Sequence, residues 1–448
     1  MKGQATLEII IALGLITIVF ASVILVISTN QSLSLDGSES SQAIALAREN
    51  LEIIKALAKL NFSGIKNSSS TQNEFLKEII VQDINNFTKQ VTSRVSWQTD
   101  PLRIQKVELP TIITDLETVK SLGGDTGGDG PSGDWKNPRT LGSVDLGPGN
   151  SATDLDVKNK FVYITSVASD SKKPDFWIID ATDGQNPIIV SSLNTGTGLE
   201  SIDVAGDYAY VAGDDDSKEL QIIDISNHLS PVVAGTLNLA GGEDALAIFY
   251  RSSYVYIGRA DGAAQEFQIV DVSNPTSPSL ASGLSNVGDE INDIYVYNNR
   301  AYIGTEDSSR GMIVIDVSNP SSPSVLGSLN TGAHDYAIYV ESESQVSVGG
   351  KTKYYIANAA TSSNITVIGS STINNKTRDI AVSSLYAFLA TEDSNKEFQV
   401  WNISDPARPS FWSSFNFPQV ATGVDYEDNI VYVSVRSNDA LRIITSGP

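Results

Sequence analysis

One line of sequence recurs along the C-terminal two-thirds of this chain and decides what the chain can fold into. It reads Leu220-Gln221-Ile222-Ile223-Asp224-Ile225-Ser226-Asn227, then Phe267-Gln268-Ile269-Val270-Asp271-Val272-Ser273-Asn274-Pro275, then Met312-Ile313-Val314-Ile315-Asp316-Val317-Ser318-Asn319-Pro320, then Phe398-Gln399-Val400-Trp401-Asn402-Ile403-Ser404-Asp405-Pro406. Phe176-Trp177-Ile178-Ile179-Asp180-Ala181 is a weaker copy. The copies recur about every 44 residues. Before each stands an aromatic strand such as Tyr208-Ala209-Tyr210-Val211, and before that an inner strand such as Ser201-Ile202-Asp203-Val204-Ala205. An outer strand such as Pro231-Val232-Val233-Ala234-Gly235-Thr236-Leu237 follows. Four short strands per repeat at this period is the pattern of a β-propeller blade.

Inner strands begin near Asp154, Ser201, Ala245, Asp293, Ala337, Asp379 and Gly423, which predicts seven blades over residues 136–448. The fifth copy, around Lys353-Tyr354-Tyr355-Ile356-Ala357, has lost the Asp-x-Ser-Asn-Pro turn. The seventh supplies only three strands. Pro138-Arg139-Thr140-Leu141-Gly142-Ser143-Val144-Asp145-Leu146 matches the outer-strand pattern of Pro323-Ser324-Val325-Leu326-Gly327-Ser328-Leu329. The ring is therefore expected to close by pairing this first strand with the last blade, which removes open sheet edges.

The chain before the ring is different. Residues 122–135 are a Gly-rich linker, with Gly at six of the twelve positions 123–134. Residues 61–121 contain alternating stretches, Val91–Trp97 and Lys106–Thr114, that predict two or three short strands in a small α/β region. Ser41–Leu60 places Ala43, Leu46, Ala47, Leu51, Ile54 and Leu57 on one helical face. Residues 4–28 are apolar apart from Glu8, and about 25 residues suffice to span a bilayer as a helix. The fold class expected is thus mainly β: a long N-terminal α-helix over 4–60, a small β region, then a seven-bladed propeller.

A carboxylate inside an apolar run costs several kcal/mol at membrane depth and is by default functional, at about 2.5–3.5 kcal/mol on insertion scales. Glu8 is the fifth residue after Gly3, and Met1-Lys2-Gly3 precedes the run. This arrangement resembles a type IV prepilin. The resemblance implies a leader over 1–3, cleavage between Gly3 and Gln4 by a prepilin peptidase and methylation of the new N-terminus. Glu8 would then pair with a neighbouring subunit during assembly. Gln4 and Leu7 depart from the aromatic or Met start and the Ile that the family usually shows. The third-strand wording resembles the LVIVD-type repeats of bacterial surface propellers. Together the two resemblances imply a bacterial cell-surface subunit, inserted in the membrane before assembly. Its propeller would serve adhesion or the binding of a surface protein or polysaccharide, in a minor or tip pilin of a type IV pilus. The alternative is a membrane-anchored propeller outside any pilus, such as a secretion pseudopilin or an envelope scaffold.

Composition narrows the chemistry. There is no Cys, so stability rests on packing and backbone pairing. The net charge of −23 excludes nucleic acid as a bulk electrostatic partner. With two His and no Cys, no nucleophile, base and orienter constellation is visible, and the chain does not read as an enzyme. The Asp-[Ile/Val]-Ser-Asn-Pro turns at Asp224, Asp271 and Asp316 read as structural, and His228 as incidental. Loops entering the inner strands carry Asp154, Glu200, Asp244, Asp293, Asp335 and Asp379. These are the candidate binding residues at one mouth of the central channel, for a basic ligand or a cation such as calcium. A solvated acidic rim is the plainer account. No cofactor is otherwise implied.

Overall fold

The computed structural model describes residues 36–60, 62–85, 88–100, 103–114 and 134–446, apart from residues 169, 171, 197, 263, 264, 333 and 384. Two compact units result, one before residue 120 and one after it.

In the first unit, helix α1 (Asp36–Leu60) covers an antiparallel sheet of four strands in chain order: β1 (Ser68–Gln72), β2 (Phe75–Asn85), β3 (Thr88–Asp100) and β4 (Arg103–Thr114). Ala43, Leu46, Ala47, Leu51 and Ile54 form the buried stripe of α1, at steps of three and four. They meet Val91, Val95 and Trp97 of β3 and Val107, Leu109 and Ile113 of β4, which alternate as a half-buried sheet requires. Leu57, expected on the buried face, is 49% exposed, as is Ile53.

The expected fold class needs correction here. The described helix is Asp36–Leu60, 25 residues, shorter than the one expected over 4–60, and no longer helix stands among the described residues. The β region is also larger than expected, because β2, β3 and β4 are 11, 13 and 12 residues long. The expected leader, the apolar segment 4–28 and Glu8 lie outside the described residues. No described helix is long and apolar enough to cross a membrane.

In the second unit, seven four-stranded antiparallel sheets form a propeller. Blade 1 begins with the inner strand Asn150–Lys158. The inner strands of blades 2 to 7 are Leu199–Ala205, Ala245–Arg251, Ile291–Tyr297, Asp335–Ser342, Thr377–Ser383 and Ala421–Glu427. The predicted closure is present: Pro138–Val144 pairs with Leu441–Ser446 as the outer strand of blade 7, Leu441 opposite Val144 and Ser446 opposite Pro138. Asp224, Asp271 and Asp316 each accept the N–H of the serine two residues on, so these turns are local caps.

One column of residues locks the blades together. Opposite the centre of each third strand, the outer strands place Ser191, Gly235, Ser282, Gly327, Gly369, Ser413 and Gly142 in blades 1 to 7. Only Gly and Ser occur. Each faces a backbone carbonyl of the following blade. A Cβ on Gly235 would lie 2.2 Å from the Pro275 carbonyl oxygen, and one on Gly142 2.2 Å from that of Gly184. The serines instead donate to the carbonyl: Ser191 to His228, Ser282 to Pro320 and Ser413 to Trp135. Trp135 thus supplies the carbonyl that a blade 7 turn would have given. Its ring is fully buried, 4.8 Å from that of Phe388.

Candidate functional site: the central channel

Every inner strand carries a register shift near its start, at Ala152/Asp154, Leu199/Ser201, Ala245/Ala247, Ile291/Asp293, Asp335/Ala337, Thr377/Asp379 and Ala421/Gly423. A bulge adds one residue and re-aims its side chain. The added residues are Thr153, Glu200, Leu246, Asn292, Tyr336, Arg378 and Thr422. All but Tyr336 line a mouth cavity of about 150 Å³, together with Glu290 and Arg436. The mouth thus sets Arg378 and Arg436 beside the carboxylates that the sequence suggested. Burial raises the Glu200 carboxyl to about 6, with Asp214 adding to the effect and Arg436 opposing it. Arg378 pairs with Glu392. Beside it, Lys376 stands 3.6 Å over the Tyr336 ring, and burial with the Arg378 charge brings its ammonium down to about 8.

The next tier is the waist. Asp154, Asp293 and Asp379 share one register position in blades 1, 4 and 6, and each ties two blades together. Asp154 accepts from Leu155 N–H (2.8 Å) and, in blade 2, from Ile202 N–H (3.1 Å) and Ser201 Oγ (3.0 Å). Asp293 accepts from Ile294 N–H (2.7 Å) and Ile338 N–H of blade 5 (2.6 Å). Asp379 accepts from Ile380 N–H (2.7 Å) and Val424 N–H of blade 7 (2.6 Å). The following blades carry Ser201, Ala337 and Gly423 at this position, and a Cβ on Gly423 would lie 2.6 Å from Asp154 Oδ1. Burial, then the Asp379 charge, raises Asp293 to about 8 and Asp154 well above its ordinary range.

Beyond the waist lies a chamber of about 170 Å³. Its widest tier is divided in two. Blades 7, 1 and 2 present Asp425, Asp156 and Asp203, while blades 3, 4 and 5 present Phe249, Tyr295 and Tyr339. Asp156 accepts from Val204 N–H at 2.5 Å, Asp203 from Tyr250 N–H at 2.6 Å and Asp425 from Val157 N–H at 3.0 Å. The rings stand in series, with centroids 4.9 Å apart between Phe249 and Tyr295 and 5.1 Å between Tyr295 and Tyr339.

Of the sequence-predicted residues, the channel gathers Asp154, Glu200, Asp293 and Asp379. Asp244 and Asp335 line neither cavity. Asp335 is buried in blade 5 against Tyr355 OH and Thr331 Oγ1, and burial raises it to about 6. Sequence reasoning passed over the chamber residues, although the period-2 pattern of the inner strands contains them: Asp156 is two residues after Asp154, and Asp203 and Asp425 are its register equivalents. Among the described residues no group of three or more His, Cys, Asp or Glu could hold a metal ion, so the channel offers calcium no ready site. His228, read as incidental, hydrogen-bonds Tyr163 OH at 3.0 Å and packs on Phe161, joining blade 2 to blade 1.

The LVIVD repeat family matches residues 199–238, 245–284, 290–331 and 375–417, which are blades 2, 3, 4 and 6. No curated protein matches the chain. Among solved structures, the chain is similar to one from the crystal structure of the mitotic checkpoint complex, at 12% identity and TM-score 0.53, covering 71% of this chain and 96% of that one. It is also similar to the WD40 β-propeller domain of Doa1, at 13% identity and TM-score 0.53, covering 69% and 97%. At such identities the likeness is one of fold. The chain thus holds a β-propeller domain in which four blades match LVIVD repeats, and a separate helix-and-sheet unit.

Proposed function

We propose that the chain is a pilin-like subunit of the bacterial surface that presents its propeller as a binding head, for adhesion or contact with a surface protein or polysaccharide. The observation that carries this reading is the packing of α1 on a four-stranded antiparallel sheet, downstream of an apolar segment bearing Gly3, Gln4 and Glu8. A helix laid on such a sheet is the arrangement that the prepilin resemblance implies. The apolar segment inserts in the membrane, a prepilin peptidase removes residues 1–3, and Glu8 meets the N-terminal amine of a neighbouring subunit. The propeller acts as a non-enzymatic platform whose channel holds carboxylates and rings in fixed positions.

The test is immunogold electron microscopy of sheared surface filaments, with antibody to residues 136–448, on cells carrying the parent chain or Glu8→Ala. Label on parent filaments and its loss in the variant, with the variant still in the membrane, is the expected result. Label confined to the envelope in both strains would leave the anchored propeller as the reading.

A further inference from the structure

The two-sided chamber carries an inference beyond display of a binding head, though it rests on reading the propeller as a binding module. A carboxylate at this position serves blade pairing by accepting one N–H from the next blade, and an aromatic ring serves it by stacking on the next ring. The carboxylate device works in any blade order, whereas stacked rings stand in consecutive blades. Here the three carboxylates are consecutive and the three rings are consecutive, so one wall is anionic and the facing wall is aromatic. Carboxyl groups outnumber cations among the residues lining the chamber, seven against Lys158, whose ammonium donates to the Gly206 carbonyl at 3.0 Å and also acts on Asp203. Asp203 uses one oxygen, Oδ2, for its bond to Tyr250 N–H. Burial and the neighbouring Asp156 charge raise its carboxyl well above the ordinary range, and a bound cation relieves that repulsion.

We propose that this chamber is a binding site for an organic cation of the size of a lysine side chain or a small alkylammonium, held between Asp156 and Asp203 on one side and Phe249, Tyr295 and Tyr339 on the other. A ring face attracts a cation through its quadrupole, and a carboxylate fixes the ammonium N–H groups. A volume of about 170 Å³ admits a short amine and excludes an oligosaccharide chain.

The test is isothermal titration of the full chain in detergent with n-butylammonium, and with n-butanol as the neutral probe of the same shape. Butylammonium is expected to bind at least tenfold more tightly than butanol. Asp203→Asn keeps an oxygen for Tyr250 N–H and removes only the charge, so it is expected to lower butylammonium affinity at least tenfold with the melting temperature retained. Tyr295→Leu, which leaves every carboxylate in place, is expected to lower it at least threefold. Equal binding of both probes, or unchanged affinity in Asp203→Asn, would overturn the proposal, as would binding of a neutral monosaccharide in place of the amine. None of these outcomes bears on filament incorporation, which Glu8→Ala reads separately.

Discussion

Replacing Asp293 by Asn separates the structural role of a waist carboxylate from its charge. Asp293 is enclosed by the ring, and its carboxyl is raised from 3.8 to about 8 by burial and by Asp379. In the unfolded chain the group ionises near its ordinary value, so from pH about 4 to about 8 the folded state holds a proton that the unfolded state has released. Stability therefore falls as pH rises through this window and is flat above it. At about 1.4 kcal/mol per unit the ceiling is about 6 kcal/mol, and water in the channel reduces the working value to about 2 kcal/mol. Asn supplies one carbonyl oxygen where Asp supplies two acceptors, for Ile294 N–H and Ile338 N–H. One buried N–H then loses its partner, at about 1–3 kcal/mol at every pH. Asp293→Asn is thus expected to be less stable than the parent at pH 5, with the gap closing by about 2 kcal/mol or more by pH 8.5. Urea unfolding of the full chain at each pH, followed by tryptophan fluorescence, measures this, since four of the five tryptophans lie in the propeller. A gap constant within about 0.5 kcal/mol from pH 5 to 8.5 would refute the buried-proton argument.

Other outcomes follow from the same contacts. Gly327→Ala puts a Cβ 1.9 Å from the Ser362 carbonyl oxygen and is expected to cost at least about 1–3 kcal/mol, whereas Ser282→Ala loses one hydrogen bond at about 1 kcal/mol; thermal melts that reverse this order would contradict the column argument. Trp135→Ala empties a fully buried site between blades 6 and 7, at about 3–5 kcal/mol in denaturant titration. Truncation after Asn438 removes the partner of Pro138–Val144, so limited proteolysis should cut within that strand, which the parent protects.

Blade number, strand order and ring closure were legible because each follows from local pattern: period-2 alternation, Asx turns and an outer strand recognisable away from its own repeat. The channel was legible only in part. Asp154, Asp293 and Asp379 stood out as carboxylates, but their role depends on the blade that follows, where Ile202, Ile338 and Val424 donate their N–H groups, and a single repeat does not show its neighbour. At the mouth, counting carboxylates left out Arg378 and Arg436, which stand at the same rim. Helical spacing alone let the expected helix run over 4–60, because an apolar run and an amphipathic run both satisfy it; the described helix is Asp36–Leu60.

The fifth blade shows what the repeat is for. Its third strand has no Asp-x-Ser-Asn-Pro ending, and the LVIVD match passes over it, yet it forms the same four-stranded sheet, with one further register shift at Val340/Ser342 in its inner strand. What it retains is geometric. Asn358 caps the N–H of Ala360 as Asp caps Ser elsewhere, Ser362 presents its carbonyl to Gly327, and Gly369 leaves room for the Pro406 carbonyl. Blade 7 meets the same demand from outside its own repeat, through the Trp135 carbonyl on Ser413. The requirement is therefore a carbonyl at one point and a Gly or Ser against it, not a string of letters. Seven blades satisfy it with turns of different wording, so this fold can lose a repeat's signature while keeping its ring.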